Sequence, residues 1–217
     1  EWTPSQTHNI SLSGKSGKTT FNVGLGYLDQ NGLMKVAKHD DFRRWNGSIR
    51  LSTEINKYIT ARAGANYSKR NKRYAYATNS TTADPWLYLY RWDSTYPMGY
   101  DENGNEMRSP VSEVHQANTA NKEDNYLSFN VGATLKITKD WKFDIDYTYA
   151  GEDQIWKKNG TKYTAADTWT APVKRLDGNG NQIYVNNKGE VVSAGSQGAM
   201  PAYDLNYRQY TADGGNP

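Results

Sequence analysis

Residues 42–55 read FRRWNGSIRLSTEI, and this stretch alternates between two kinds of side chain. The odd positions from Trp45 to Ile55 are mainly apolar, whereas the even positions from Arg44 to Glu54 are polar. Successive side chains of a β-strand point to opposite faces, so a period of two predicts a strand with one apolar and one polar face.

The same alternation recurs along the first two thirds of the chain. The alternating segments pair as 10–12 with 21–27, 42–55 with 59–68, and 127–137 with 143–149. Extended segments joined by tight turns are typical of β-hairpins. The sequence therefore predicts an all-β fold with about six antiparallel strands.

The connections between these segments are alternately short and long. The short ones lie at 14–17, 56–57 and 138–140, and the long ones at 28–41, 69–124 and from 151 onward. Compact domains rarely contain loops longer than about 15 residues, whereas transmembrane β-barrels pair short periplasmic turns with long extracellular loops. The pattern predicts three transmembrane hairpins over residues 1–150, with an extracellular loop at 69–124, followed by an extracellular loop region at 151–217.

Composition is compatible with this prediction. Only 36% of the 217 residues are hydrophobic, and the mean hydropathy is -0.92, but a barrel strand needs an apolar residue only at every second position. Tyr (17) and Trp (7) far outnumber Phe (4), which favours rings that sit at a membrane interface. Rings lie near the predicted long-loop ends at Tyr27, Trp45, Tyr67 and Tyr149, and beside short turns at Tyr58 and Trp141.

Charge and cysteine content exclude several functions. The net charge is +3 and the two signs are interspersed, so there is no basic stripe for a nucleic acid. The chain has no cysteine, which excludes disulfides, cysteine-ligated zinc and thiol catalysis. Six strands are also fewer than the roughly eight that close a membrane barrel, so we expect a fragment of a larger barrel.

Specific motifs near the N-terminus carry a resemblance. Residues 7–14 read THNISLSG, residues 18–32 read KTTFNVGLGYLDQNG, and residues 41–45 read DFRRW. The short turn INKY at 55–58 also fits. These segments resemble the first barrel strands of the SusC/RagA type of TonB-dependent outer-membrane transporters, specifically over residues 7–70 and only in strand spacing to about residue 150.

The resemblance implies a 22-stranded barrel in the outer membrane of Bacteroidota. Members of this family import oligosaccharides or peptides together with a SusD-like surface lipoprotein, and a TonB complex drives transport through a plug domain and an N-terminal segment. No counterpart of the plug, the TonB segment or the remaining strands is found in these residues, so the resemblance implies a longer parent protein. It implies no catalysis and no cofactor.

Charged residues on the polar faces of the strands are the first candidate site. Exposing a basic side chain to lipid near the bilayer midplane costs about 2 to 4 kcal/mol, so these groups should face a wet or plugged lumen. They could dock a plug, line a substrate path, or simply pair with one another in a hydrated wall. The predicted lumen-facing residues are Arg44, Arg50, Glu54, Arg62, Lys136, Asp144 and Asp146.

The loop at 69–124 contains the second candidate site, a dense run of aromatic residues. Rings with polar neighbours can stack on sugars or anchor a protein partner, and they can also pack on one another to order the loop. All three interpretations stay open from the sequence. The candidate residues are Trp86, Tyr88, Tyr90, Trp92 and Tyr96.

Several motifs suggest other chemistry but lack residues that this chemistry requires. Residues 101–106 and 177–182 begin like EF-hand loops, but position 6 is Glu106 or Gln182 instead of glycine. They are better interpreted as Asn-Gly turns of small hairpins. Asp144 and Asp146 share a strand face, but catalytic carboxylate pairs normally come from separate strands, so no enzyme is predicted. The histidines lack the spacing of metal ligands, so no metal site is predicted.

Two alternatives to the importer remain. A soluble β-sandwich that binds glycans or acts as an adhesin would bury the apolar faces between two sheets. A passive porin would use the same strands without a plug or energy coupling. The importer interpretation requires that hydrocarbon, and not a second sheet, covers residues such as Ile49, Ala63, Val131 and Ile145.

Overall fold

The computed structural model describes residues 2–77, 90 and 92–212. The chain is mostly strand and divides into two compact units. Of the described residues, the first unit contains 2–76 and 118–159, and the second contains 77, 90, 92–117 and 160–212.

The first unit is a six-stranded antiparallel sheet in which every strand pairs with the next one along the chain. This arrangement confirms the predicted all-β fold with three consecutive hairpins. The strands are β1 (Ser5–Ser16), β2 (Thr19–Asn31), β3 (Asp41–Glu54), β4 (Ile59–Tyr76), β5 (Asn118–Lys136) and β6 (Lys142–Lys158).

Local hydrogen bonds explain why the turns at one end are tight. Gly17 adopts a φ of 58°, a conformation that favours glycine, between β1 and β2. Between β3 and β4, the Asn56 side-chain oxygen accepts from the Tyr58 and Ile59 amides at 2.8 and 3.0 Å. Thr138 Oγ1 accepts from the Trp141 amide at 3.1 Å between β5 and β6. Asn and Thr thus close these turns with their own side chains.

The strands at the other end are longer than the sequence predicted. The loop placed at 69–124 is instead confined to 77–117, because β4 continues to Tyr76 and β5 begins at Asn118. Likewise, β6 extends to Lys158, so 151–158 belongs to the sheet and not to a loop region. The added residues are mostly polar on both faces, and a period-two hydropathy pattern cannot reveal such strands.

The register separates the two faces along the whole sheet. Ile49 lies opposite Val23 and Ala65, and Val131 lies opposite Ala63 and Tyr147. We call such a set of opposed residues a register row. Residues in one row share a face, so the apolar positions of all strands meet on one side, here called the apolar face, and the polar positions on the other, the polar face.

Among its described residues, the second unit contains the helix α1 (Pro110–Gln116) and several short strands. The helix begins at a capping box in which Ser109 and Ser112 exchange hydrogen bonds. Strand β7 (Thr161–Asp167) pairs with β13 (Asn206–Ala212). The remaining strands are β8 (Val173–Lys174), β9 (Tyr184–Val185), β10 (Val191–Val192), β11 (Met200–Pro201) and β12 (Tyr203–Asp204). Among the described residues, no helix is both long and apolar enough to cross a membrane.

Three turns in the second unit share the same pattern of side-chain to backbone hydrogen bonds. Asp101, Asp177 and Asn186 each accept from backbone amides two and four residues ahead, at 2.7 to 3.1 Å. A glycine with a φ near 80° follows three residues after each, at Gly104, Gly180 and Gly189. The predicted hairpin turns are confirmed, and the carboxylates of the EF-hand-like segments bind their own backbone.

Candidate functional site

The apolar face of the sheet is exposed. Ile49, Val131 and Ile145 are 40%, 54% and 50% exposed, although each lies in the interior of a strand. Ala63, between them in the register, is also exposed. A soluble sandwich would bury these positions, and large contiguous apolar patches on soluble proteins mark a surface that something else covers.

A sharp boundary ends the apolar face toward the long connections. The Tyr27 and Trp45 rings lie opposite each other with centroids 4.2 Å apart. The next row on the same face, two residues further along each strand, places Asp29 opposite Arg43. The Arg43 Nε lies 3.5 Å from the Asp29 carboxylate. The Tyr27 hydroxyl donates to Asp29 at 3.1 Å, so the ring stays on the apolar side while its polar end meets the charges.

The charged zone continues across the neighbouring strands. Asp41 is 9% exposed and lies 2.7 Å from the Arg73 guanidinium, and Lys69 lies 2.9 Å from Glu123. Tyr149, which the sequence placed near this end, instead shares the row of Ile49 and lies within the apolar band. Its ring position depends on the register with β5, which the sequence of β6 alone does not reveal.

The polar face contains a compact ionic cluster. Arg62 lies 3.3 Å from the Asp144 carboxylate and 2.9 Å from that of Asp146, and it also donates to Thr134. Thr134 in turn donates to Asp144. Gly132 lies between Arg62 and Asp146 in the register, and a Cβ there would meet the Asp146 carboxylate at 2.0 Å. Glycine therefore leaves the space in which this ion pair forms.

The other predicted charged residues share the polar face but not the cluster. Arg44 is half-buried, while Arg50, Glu54 and Lys136 are exposed. A hollow of about 620 Å³ lies on this face, lined by Arg50 and Arg62 together with hydroxyl and amide side chains. The hydrogen-bonding groups around it are Thr20, Asn22, Ser52, Asn66, Ser128, Asn130 and Thr148.

The aromatic candidates divide into three groups. Trp86 and Tyr88 lie outside the described residues. Tyr90 is 88% exposed. Trp92 and Tyr96 pack edge to face with centroids 5.4 Å apart, and Trp169 joins them at 6.2 and 5.0 Å.

Trp169 was missed by the sequence interpretation because it lies far along the chain, and no local pattern connects it to the loop. The three rings, here called the aromatic triad, leave Trp169 55% exposed and Tyr96 38% exposed. The triad therefore combines packing within the unit with a surface that other molecules can reach.

A buried charged cluster organises the second unit. Arg108 Nε lies 3.1 Å from Glu113, which is 2% exposed, and a terminal guanidinium nitrogen lies 3.8 Å from Asp167, which is 1% exposed. The Tyr210 ring lies under the guanidinium at 4.3 Å and stacks on Tyr163 at 5.1 Å. This grouping joins α1, β7 and β13, and no local pattern in the sequence predicts it.

Burial sets the protonation behaviour of this cluster. Burial raises the pKa of the Glu113 carboxyl, whereas Tyr163 and the nearby Arg108 lower it. Burial, and then a hydrogen bond to Asp167, raises the pKa of Tyr210 to about 12. The pKa of Tyr163 is also raised, first by burial and then by the Glu113 charge. Both phenols are therefore protonated and neutral at physiological pH.

Neither a search for metal-binding side chains nor a comparison with known proteins assigns a function. Within the part of the chain that the structure describes, no three His, Asp or Glu side chains group in a way that could hold a metal ion. No protein-family model and no curated protein matches this chain.

Proposed function

We propose that this chain forms part of an outer-membrane transporter of the SusC/RagA, TonB-dependent type. The sheet is a segment of its barrel wall, and the transporter imports oligosaccharides or peptides with the help of a SusD-like surface lipoprotein. The observation that carries the proposal is the apolar face, which is continuous across neighbouring strands and exposed at Ile49, Val131 and Ile145.

The dimensions of the apolar face suit a bilayer. From Trp45 in β3 to Ile55, the residue after its last, the chain spans roughly 34 Å at about 3.4 Å per residue. With the tilt of about 40° that is usual in transmembrane barrels, this corresponds to roughly 26 Å, close to the apolar band of about 25 Å found in such proteins. The aromatic residues Tyr27 and Trp45 lie at one limit, and Tyr58 and Trp141 lie beside the turns at the other.

The polar face suits a hydrated lumen wall. Its hollow is lined by hydroxyl and amide groups with Arg50 and Arg62, and groups of this kind hydrogen-bond equally well to sugars, to peptides and to a plug domain. The Arg62 cluster would be costly in hydrocarbon, because three charged side chains would lose their hydration there.

The aromatic triad supports a contact with the lipoprotein or the cargo. Trp and Tyr are enriched at the centres of protein interfaces, and Trp169 is exposed while Trp92 and Tyr96 hold it from one side. The triad is therefore a rigid ring surface in the part of the chain that we assign to the extracellular side.

Single-cysteine labelling tests the membrane orientation. A nitroxide is attached to a single cysteine introduced at Val131 or at the adjacent Asn130, in a parent protein free of other reactive cysteines and placed in lipid bilayers; the present 217 residues contain none. We expect the label at Val131 to collide with oxygen dissolved in lipid, and the label at Asn130 to collide with a water-soluble nickel complex. Shielding of the Val131 label from both reagents, with the Asn130 label still accessible to the nickel complex, would favour a sandwich and reject the barrel.

A second experiment separates active import from passive diffusion. Uptake of labelled oligosaccharides or peptides by cells that express the parent protein should stop when the TonB complex is deleted. Uptake that continues unchanged without TonB would indicate the porin alternative and not the importer.

A further inference from the structure

A small basic pocket lies where the loop between β2 and β3 folds against the start of β3. Its volume is about 260 Å³. Its lining contains the basic side chains Lys35, Lys38, Arg43 and Arg73, together with His39. Four cationic groups around one hollow form an arrangement that attracts anions.

The two acidic residues of the lining already have partners. Asp40 accepts from the Met34 amide at 3.0 Å, which fixes the loop. Asp41 binds the Arg73 guanidinium at 2.7 and 2.8 Å. Arg73 is therefore neutralised, and Arg43, whose side chain is 49% exposed, lies 3.5 Å from Asp29 and 3.9 Å from Asp41. In contrast, Lys35, Lys38 and His39 are exposed. Lys38 donates to Asn118 at 3.0 Å, and an ammonium group has three protons to donate.

The pocket lies at the boundary of the apolar face. Arg43 lies two residues from Trp45 on the same side of β3. The loop also exposes Leu33 by 56% and Val36 by 45%, on either side of Lys35. Exposed apolar side chains interspersed with lysines are typical of segments that lie at the level of lipid headgroups.

We propose that the basic pocket binds the phosphate group of a lipid headgroup. This inference rests on the proposed function, since the apolar face must contact a bilayer for the pocket to lie at headgroup height. Arginine and lysine both bind phosphate oxygens through charge-assisted hydrogen bonds. In this arrangement Arg43 approaches from the strand and Lys35 and Lys38 from the loop, while Leu33 and Val36 contact the upper acyl region.

Lipid retention by the parent protein tests the pocket. The protein is reconstituted into phosphatidylcholine nanodiscs that contain a minor fraction of phosphatidic acid, and retained phosphatidic acid is counted by native mass spectrometry. The double variant Lys35→Gln/Lys38→Gln should retain phosphatidic acid about 20-fold less tightly, because each lysine near an anionic surface contributes about a fivefold effect. Both lysines are exposed, so folding should be unaffected.

A matched control removes two lysines at the opposite end of the sheet. Lys15→Gln/Lys57→Gln makes the same charge change beside the short turns and should retain the lipid like the unmodified protein. Equal retention by the two double variants would overturn the proposal, as would displacement of the lipid by inorganic phosphate at a similar concentration, because the pocket would then be a site for a free anion.

Heat-modifiable migration on gels reports barrel assembly in the same samples. Assembly of the unmodified protein without selective lipid retention would reject only the pocket. Failure of the unmodified protein to assemble in lipid would instead reject the proposed function, and the pocket with it.

Discussion

Tyr27 and Trp45 face each other across β2 and β3, with ring centroids 4.2 Å apart and planes inclined by 38°. Two residues further from the short turns on each strand, Asp29 and Arg43 occupy the same face. The Tyr27–Trp45 pair thus separates the aliphatic side chains of this face from the charged ones. Such a change is expected where a protein surface passes from hydrocarbon to headgroups.

Arginine substitution on adjacent residues of β5 should have opposite outcomes. Phe129 lies on the apolar face and is 48% exposed. Under the proposed function, Phe129→Arg would place a charge in lipid at a cost of about 2 to 4 kcal/mol near the bilayer midplane. Asn130→Arg places the charge on the polar face, one step from the Asp146 side of the Arg62 cluster. We expect only Phe129→Arg to reduce assembly, measured by heat-modifiable gel migration.

The comparison is decisive because the two positions share a strand and differ only in the face. Similar assembly of both variants would contradict the assignment of the apolar face to lipid. An assembly defect in Asn130→Arg alone would indicate that the assignment of the two faces to lipid and lumen is reversed.

The Arg62 cluster should behave as one unit. Arg62→Gln leaves the Asp144 and Asp146 carboxylates side by side without their cation, and like charges in proximity repel. We expect a lower thermal midpoint for unfolding of the parent protein. Adding Asp146→Asn to Arg62→Gln should recover part of the loss, whereas Asp146→Asn alone should be destabilising. Additive effects in this double-mutant cycle would show that the residues act independently.

Alternation of side chains predicted the sheet, its hairpins and the composition of each face, because a single buried or lipid-covered side imposes a period of two. The same signal failed beyond the apolar face. Lys69, Arg73 and Glu123 continue the strands, but both faces are polar there and hydropathy no longer alternates. Strand extent in this zone depends on backbone pairing, which side-chain hydropathy does not encode.

The second unit was less predictable for a different reason. Its turns were predicted from local Asn-Gly motifs, and hydrogen bonds within five residues confirm them. In contrast, Trp169 joins Trp92, and Asp167 joins Arg108, across long sequence separations. Such contacts depend on how β7 packs, and neither ring spacing nor charge spacing in the sequence specifies that.

Removal of Arg108 should destabilise the second unit strongly. Glu113 and Asp167 are almost fully buried and would lose their cation, and an uncompensated buried charge costs about 3 to 5 kcal/mol. We expect Arg108→Met to increase proteolytic cleavage within 92–117 and 161–212. Arg208→Met removes an exposed arginine from the same unit and is the control. Comparable cleavage of the two variants would indicate that the buried cluster contributes little to stability.

The turn at Asp177 should loosen in acid. The Asn181 amide donates to the Asp177 carboxylate at 2.8 Å, and this bond contributes most to lowering the pKa of Asp177 below its ordinary value of 3.8. Because the folded pKa lies below the unfolded one, the stabilisation is complete above about pH 4 and is lost as the pH falls through the folded pKa. Amide hydrogen exchange of 177–182 should therefore report increasing local opening under acidic conditions.

The variant Asp177→Asn separates protonation from geometry. Asn186 already performs the same role with an amide oxygen, accepting from the Lys188 and Glu190 amides at 2.9 and 3.1 Å. The variant should therefore keep the turn at neutral pH and lose the acid-induced opening, when both proteins are compared at the same pH so that intrinsic exchange cancels. If the variant opens in acid as readily as the unmodified protein, titration of Asp177 does not control this turn, and opening must begin elsewhere in the unit.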